Sequence, residues 1–165
     1  MRHLHAVTRD DEPEAGFTLI ELMMVVLIIA ILIAVLIPTF VGAKARAQDR
    51  AVQSSVRNAL LAARVIYSDH GDYTEATVAA LNATEPSIAF VDATTTPANV
   101  NSVSVDPVST TYFVAAGKSK SAACFFVRDD QSVGGTGERY TKATSGACTA
   151  SAAPPANSPS WGATW

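Results

Sequence analysis

The feature that most constrains this chain is a run of 22 residues, 22–43, that contains no charged side chain. At about 1.5 Å per residue, a helix of this length spans about 30 Å, which is the thickness of the hydrocarbon core of a bilayer. It has no polar face, so it is not a soluble amphipathic helix. The run predicts a transmembrane segment. A cleaved secretory signal is the alternative, but signals have a shorter apolar core and a small-residue cleavage site after it.

A single carboxylate, Glu21, lies directly before this run, within about one turn of the expected helix start. An acid beside an apolar membrane helix is costly and needs a partner. A cut between Gly16 and Phe17 would create an α-ammonium group one turn from Glu21, on the same chain or on a neighbour. A charge that finds its partner only in an assembly favours one packing register. Alternatively, Glu21 only complements the positive end of the helix macrodipole.

Residues 16–21 read Gly-Phe-Thr-Leu-Ile-Glu, and together with the apolar run they closely resemble the leader junction of type IV pilins and of type II secretion pseudopilins. The resemblance implies that a membrane-embedded prepilin peptidase cuts after Gly16 and methylates the amine of Phe17. It also implies that Glu21 is required for subunit docking and that Pro38 kinks the helix. The motif covers about the first quarter of the chain.

The leader differs in charge from those of the family, which usually carry Lys or Arg near the glycine. Here four acids lie within residues 10–14, and the only basic residues are Arg2 and Arg9. Further along, Pro38 removes one backbone hydrogen bond, and Gly42 is a second weak point. We therefore expect the helix to bend or melt within residues 33–42 when subunits pack.

The remaining patterns divide the chain into five segments. Apolar residues at helical spacing continue from position 52 to position 67, and Gly71 is a suitable helix stop. We predict a leader at 1–16 that is removed, a transmembrane or filament-core helix at 17–43, an amphipathic helix half at 44–70, a globular β head at 71–149 and a mobile low-complexity tail at 150–165. The predicted fold class is α+β, with a long N-terminal helix packed on a small antiparallel sheet, as in pilins.

Within the head, alternating and β-branched residues indicate strands. The sequence predicts them at 100–105, 111–116, 122–128 and 138–144, with a hairpin turn at 117–121. A short helix is expected at 75–81, with Thr74 as its N-cap.

Two cysteines, Cys124 and Cys148, are too far apart for a redox CxxC pair and lack a histidine cluster for zinc. On the outer side of a membrane, a disulfide between them is expected. Two unrelated free thiols are the alternative.

No catalytic set is evident. The one histidine outside the leader, His70, lies at a helix end, and Asp129 and Asp130 match no ion-binding spacing. We therefore expect no enzyme activity, no cofactor and no metal site. The formal charge of −3 gives no basic excess for nucleic-acid binding. Trp161 and Trp165 either anchor the tail to a neighbour or a target, or lie exposed at a frayed end.

These features predict a structural subunit of a type IV pilus-like surface filament. The resemblance implies as partners further copies of the chain, the prepilin peptidase, an inner-membrane assembly platform with its ATPase, and membrane lipid before assembly. The expected location is the cytoplasmic membrane, with a single span and the C-terminal part outside, followed by the extracellular filament. The alternatives are a pseudopilin of type II secretion and a membrane-tethered binding domain.

Overall fold

The computed structural model describes residues 16–165. They form two compact units, an apolar unit that ends at Val41 and a globular unit, Gly42–Trp165. One helix, α1 (Leu19–His70), contributes residues to both units. The long N-terminal helix predicted from the sequence is therefore confirmed, whereas the prediction that residues 1–15 belong to a removed leader lies outside the described residues.

The apolar unit exposes its hydrophobic side chains. Phe17 is 91% exposed, and Ile33, the least exposed of the large apolar side chains in this unit, is still 47% exposed. Within residues 16–165, α1 is the one helix that is long and apolar enough to cross a membrane, with a mean hydropathy of 3.3 over its most apolar 18 residues. Apolar surface exposed on this scale requires lipid or another apolar surface to cover it.

The globular unit contains a five-stranded sheet with the strand order β1-β2-β3-β4-β5. Strand β1 pairs in parallel with β2, and the other neighbours are antiparallel. A short helix, α2, connects α1 to the sheet. The bounds are α2 Val78–Thr84, β1 Ala89–Val91, β2 Ser102–Ser109, β3 Tyr112–Lys118, β4 Cys124–Asp130 and β5 Arg139–Ala143. This is the α+β layout predicted from the sequence.

The main core lies between the second half of α1 and one face of the sheet. The helix buries one stripe of small and branched residues, and alternate residues of β2, β3 and β4 point towards it because successive side chains of a strand face opposite sides. Gly117 permits the close approach, since a Cβ atom there would lie 2.6 Å from methyl carbons of Val52 and Val56. The core includes Val52, Val56, Ala59, Leu60, Ala63, Val103, Val105, Phe113, Phe125 and Val127.

Local details of the connections differ from the sequence predictions. Thr74 does not cap a helix over 75–81, because its N–H and hydroxyl both donate to Asp72 (2.7 and 2.8 Å) and a 3₁₀ turn, Tyr73–Glu75, forms instead. Helix α2 begins later, and the Thr77 hydroxyl accepts from the N–H of Ala80. Strand β1 was not predicted, since three residues beside a proline-containing loop carry little periodic signal.

Strand β2 extends further than predicted and passes through Pro107. The pairing register with β3 shifts between Asp106 and Ser109, which marks a β-bulge. A proline is compatible with a strand at such a position, because the local ladder of hydrogen bonds is already interrupted there.

The C-terminal tail packs on the sheet, and the mobility expected of residues 150–165 stays a prediction. Gly162 exchanges two backbone hydrogen bonds of 2.8 Å with Tyr140 on β5. The ring of Trp161 lies 5.2 Å from the guanidinium carbon of the buried Arg128, and Trp165 packs on Tyr140 with ring centroids 4.9 Å apart. The two tryptophans thus contact the chain's own sheet. The two large aromatic rings supply the apolar surface for this packing.

On the face of the sheet that points away from α1, Cys124 forms a disulfide with Cys148, and the two Cα atoms lie 5.4 Å apart. The bond joins the start of β4 to the segment that leads into the tail. Both cysteines are buried in a second, smaller apolar cluster with Val114, Ala116 and Phe126.

Removing this disulfide is expected to lower the free energy of unfolding of the globular unit by about 3–4 kcal/mol, because the bond closes a loop in the unfolded chain. The sequence separation of the two cysteines is 24 residues. The measurement is the urea midpoint of the Cys124→Ala/Cys148→Ala variant and of the wild type in the same detergent. Identical midpoints would contradict the expectation.

Candidate functional site

The residues that the sequence assigns to assembly lie at the start of α1, where Thr18 and Glu21 bond to each other. The Thr18 hydroxyl accepts a hydrogen bond from the N–H of Glu21 at 3.2 Å. In return, Glu21 Oε2 accepts from both the N–H and the hydroxyl of Thr18, each at 2.9 Å. This reciprocal arrangement is a capping box, which satisfies backbone donors that have no partner within the helix.

The capping box gives Glu21 a local role in the single chain. From the sequence, only the helix macrodipole was considered as a local partner of Glu21, although the spacing Thr18-x-x-Glu21 is itself the signal for a capping box. Both bonds from Thr18 end on Oε2, so Oε1 is the oxygen that a further donor would reach. Neither residue is shielded from its surroundings, since both are exposed.

Phe17 lies beside this carboxylate. Phe17 and Glu21 line the same shallow depression on the helix, together with Leu22, Met24 and Val25. The structure therefore brings together the two residues that the sequence assigns to docking. An ammonium group at Phe17, once the chain is cut before it, would lie in an apolar setting where an opposite charge interacts strongly.

Pro38 and Gly42 lie within α1, which is assigned as helix without interruption from Leu19 to His70. The hydroxyl of Thr39 donates to the carbonyl oxygen of Leu36 at 2.8 Å. This bond does not replace the donor that Pro38 lacks, because the carbonyl that the proline leaves without its helical partner is that of Ala34. Bending or melting of residues 33–42 in an assembly stays a prediction.

A second polar cluster, which the sequence analysis missed, ties α1 to the sheet. Asp129 on β4 is fully buried and accepts hydrogen bonds from Arg64 Nε at 3.0 Å and Nη2 at 2.9 Å. It also accepts from the Tyr73 hydroxyl and, at 2.8 Å, from Gln131 Nε2. The remaining Arg64 nitrogen, Nη1, bonds Glu138 at 2.7 Å. We call these five residues the Asp129 cluster.

The electrostatics of the Asp129 cluster favour an ionised pair. Burial alone would raise the pKa of the Asp129 carboxyl, but the hydrogen bonds from Arg64, Tyr73 and Gln131 outweigh it and hold the pKa below its usual value. Burial and the neighbouring carboxylate raise the pKa of the Tyr73 hydroxyl. Asp129 and Tyr73 are fully buried, so a substrate could not reach them. The cluster therefore holds the fold together.

The other predicted positions are distributed over the fold. His70 is exposed at the end of α1, and Asp130 accepts from the N–H and the hydroxyl of Ser132 in the loop after β4. Among residues 16–165, no three His, Cys, Asp or Glu side chains are grouped so that they could hold a metal ion.

Comparison with known proteins adds one finding. Residues 13–37 match the family model described as the prokaryotic N-terminal methylation motif. Neither the curated proteins nor the solved structures gave a match to the chain. The matched segment contains the Gly16–Phe17 junction, the capping box and the apolar residues up to the one before Pro38. The chain thus carries a prepilin-type N-terminal methylation motif, which is consistent with a type IV pilin or a pseudopilin.

Proposed function

We propose that this protein is a structural, non-enzymatic subunit of a type IV pilus-like surface filament. Prepilin peptidase removes residues 1–16 and methylates Phe17, and the chain waits in the cytoplasmic membrane with its globular unit outside. An assembly platform with its ATPase then moves it into the filament. The observation that carries the proposal is the methylation motif, followed directly by a helix whose apolar side chains are exposed.

The exposed apolar unit supports assembly through this helix. Its side chains need an apolar environment, which lipid provides before assembly and neighbouring helices provide afterwards. Because both environments cover the same surface, transfer from one to the other requires little net change in apolar burial. A directional contact must then set the register of the helices, and Glu21 is the charged residue placed to make it.

In the proposed contact, the carboxylate of Glu21 accepts from the methylated amine of Phe17 on a neighbouring subunit. Oε2 is already bonded to Thr18 within the chain, so the incoming amine uses Oε1. A charged hydrogen bond formed away from water and lipid is short and strong, and a helix shifted by one turn would leave both charges buried without partners.

Mass spectrometry of the mature protein tests the processing step. We expect a chain that begins at Phe17 and carries one methyl group on its α-amine. An intact Met1, or a terminus beyond Pro38, would instead indicate a simple anchor or a cleaved secretory signal. Electron microscopy of fibres sheared from the cell surface then separates a surface pilus from a pseudopilin of type II secretion, for which long surface fibres are not expected.

A further inference from the structure

One end of the globular unit carries most of the positive charge that follows the motif. Six of the ten Lys and Arg residues in residues 16–165 lie there, three on the first turns of α1 after the apolar run and three on the sheet and its β3–β4 turn. We call them the basic surface. Its residues are Lys44, Arg46, Arg50, Lys118, Lys120 and Lys142, and all six are exposed.

Asp49 brings the helix and sheet parts of this surface together. Its Oδ1 accepts hydrogen bonds from the hydroxyls of Ser119 at 2.5 Å and Ser121 at 2.6 Å, in the turn between β3 and β4. Its Oδ2 lies 3.9 Å from Lys142 Nζ on β5. The turn, which contains Lys120 and follows directly on Lys118 at the end of β3, is thereby fixed beside α1. Asp49 is the only acid on this part of α1, and these contacts occupy it.

A recess beside the two lysines is lined by both polar and apolar residues. The loop with Thr96 and Asn99 faces the turn with Lys118, Ser119 and Lys120 across an open depression of about 440 Å³. Its lining combines two ammonium groups with the Thr96 hydroxyl and the Asn99 amide and includes no carboxylate, while the Ser119 hydroxyl already donates to Asp49. This combination suits a phosphate group, which accepts hydrogen bonds from charged and neutral donors alike.

We propose that the basic surface binds the phosphate headgroups of anionic phospholipids while the chain is held in the membrane. Lys44 is the first charged residue after the apolar run, and Asp49 lies about 7.5 Å further along α1. The headgroup layer on each side of the hydrocarbon core is about 5–8 Å thick. Within the globular unit, the turn fixed to Asp49 therefore lies beside a part of α1 that is about 7.5 Å by helical rise from the first charged residue after the apolar run, and basic groups close to a bilayer surface attract anionic lipid.

A second copy of the chain is the rival occupant, because acids lie at the opposite end of α1. Asp69, Asp72 and Glu75 lie at or after the last turn of the helix, about 30 Å from Asp49 by helical rise. Another subunit could place them against the basic surface. Lipid is favoured because the surface begins directly at the end of the apolar run and because the recess offers neutral donors beside its charges.

The test measures which lipids the mature full-length chain retains. The protein is reconstituted in bilayers of equal phosphatidylglycerol and phosphatidylcholine, released in mild detergent, and its bound lipids are counted by native mass spectrometry. We expect the wild type to retain an excess of phosphatidylglycerol. In Lys118→Gln/Lys120→Gln, the ratio of retained phosphatidylglycerol to phosphatidylcholine should fall by about fivefold or more. The charge-matched control Arg57→Gln/Arg139→Gln lies outside the basic surface and should retain the excess.

Three results would overturn the proposal. The first is an equal lipid ratio for the wild type and the lysine variant. The second is an unchanged ratio with weaker self-association of the variant, which would assign the surface to a second copy. The third is displacement of phosphatidylglycerol from the wild type by inorganic phosphate at the same concentration, which would make free phosphate the ligand. The proposal rests on the membrane stage of the proposed function, and a failure of that stage is distinguishable because the chain would then retain neither lipid.

Discussion

Replacing Glu21 with glutamine is expected to abolish filament formation while leaving the chain in the membrane. Glutamine serves in a capping box as glutamate does, because its side-chain oxygen accepts the same hydrogen bonds from Thr18. The substitution therefore keeps the helix start and removes only the negative charge. If that charge pairs with the amine of Phe17 on a neighbour, the variant has no way to satisfy the amine in the filament core. Counting sheared fibres by electron microscopy, with membrane fractions blotted for the protein, measures both parts.

The matched control weakens the capping box and keeps the charge. Thr18→Val removes the hydroxyl that both donates to Glu21 and accepts from its N–H. It leaves the N–H of residue 18, which also bonds Glu21. We expect this variant to form fibres, in lower number, since the helix start is looser while the pairing charge remains.

The opposite pattern would refute the docking role of Glu21. If Glu21→Gln forms normal fibres and Thr18→Val forms none, the function of the motif is to start the helix, and the charge contributes nothing to register. A third outcome, in which Glu21→Gln is missing from the membrane, would mean that the acid is required for insertion or processing. That result would also contradict the expectation.

The N-terminal segment could be predicted from the sequence because its signals are local. The motif at residues 16–21 and the apolar run are contiguous, and helical spacing from position 52 to position 67 extends the pattern. Periodicity indicates the long helix and four of the strands, which were found to within a few residues, whereas their packing as an antiparallel sheet on the helix was what the resemblance to pilins implied.

The contacts that close the globular unit could not be predicted in this way, since their partners are far apart in the chain. Arg64 and Asp129 are separated by 65 residues, and neither position departs from the pattern around it. In the sequence, Asp129 resembles a loop residue, like the neighbouring Asp130. Its side chain faces α1 only because of its position in strand β4. The position of Trp165 could not be predicted for the same reason. A proline- and serine-rich tail indicates mobility, and the contact of Trp165 with Tyr140 depends on where β5 lies in the sheet.

Removing the carboxylate of Asp129 is expected to destabilise the globular unit by about 3 kcal/mol. Breaking a buried ion pair costs about 3–5 kcal/mol, and the lower value applies because the Arg64 side chain is 32% exposed and can regain water. The Tyr73 hydroxyl, which is fully buried, also loses its partner in Asp129→Ala. The urea midpoint, followed by tryptophan fluorescence in detergent, measures the loss.

The control for this prediction is the other carboxylate on Arg64. Glu138 bonds Nη1 at 2.7 Å, but its side chain is 30% exposed. Exposed ion pairs contribute about 0–1 kcal/mol, so Glu138→Gln should shift the midpoint little. Equal effects of Asp129→Ala and Glu138→Gln would show that burial does not distinguish the two carboxylates, contrary to the account given for the Asp129 cluster.

The pH dependence of stability distinguishes the contribution of the Asp129 charge from that of its side-chain packing. The pKa of Asp129 is lowered in the folded chain by hydrogen bonds that outweigh its burial. The stabilisation is therefore fully present above the unfolded value of about 3.9 and is lost as the pH falls through the lower folded pKa. Asp129→Asn has no such carboxyl, so the stability difference between wild type and variant should be constant near neutral pH and shrink below about pH 4. A difference that stays constant through this acidic range would mean that the carboxylate is not held ionised by Arg64, and the cluster would then stabilise the fold by packing alone.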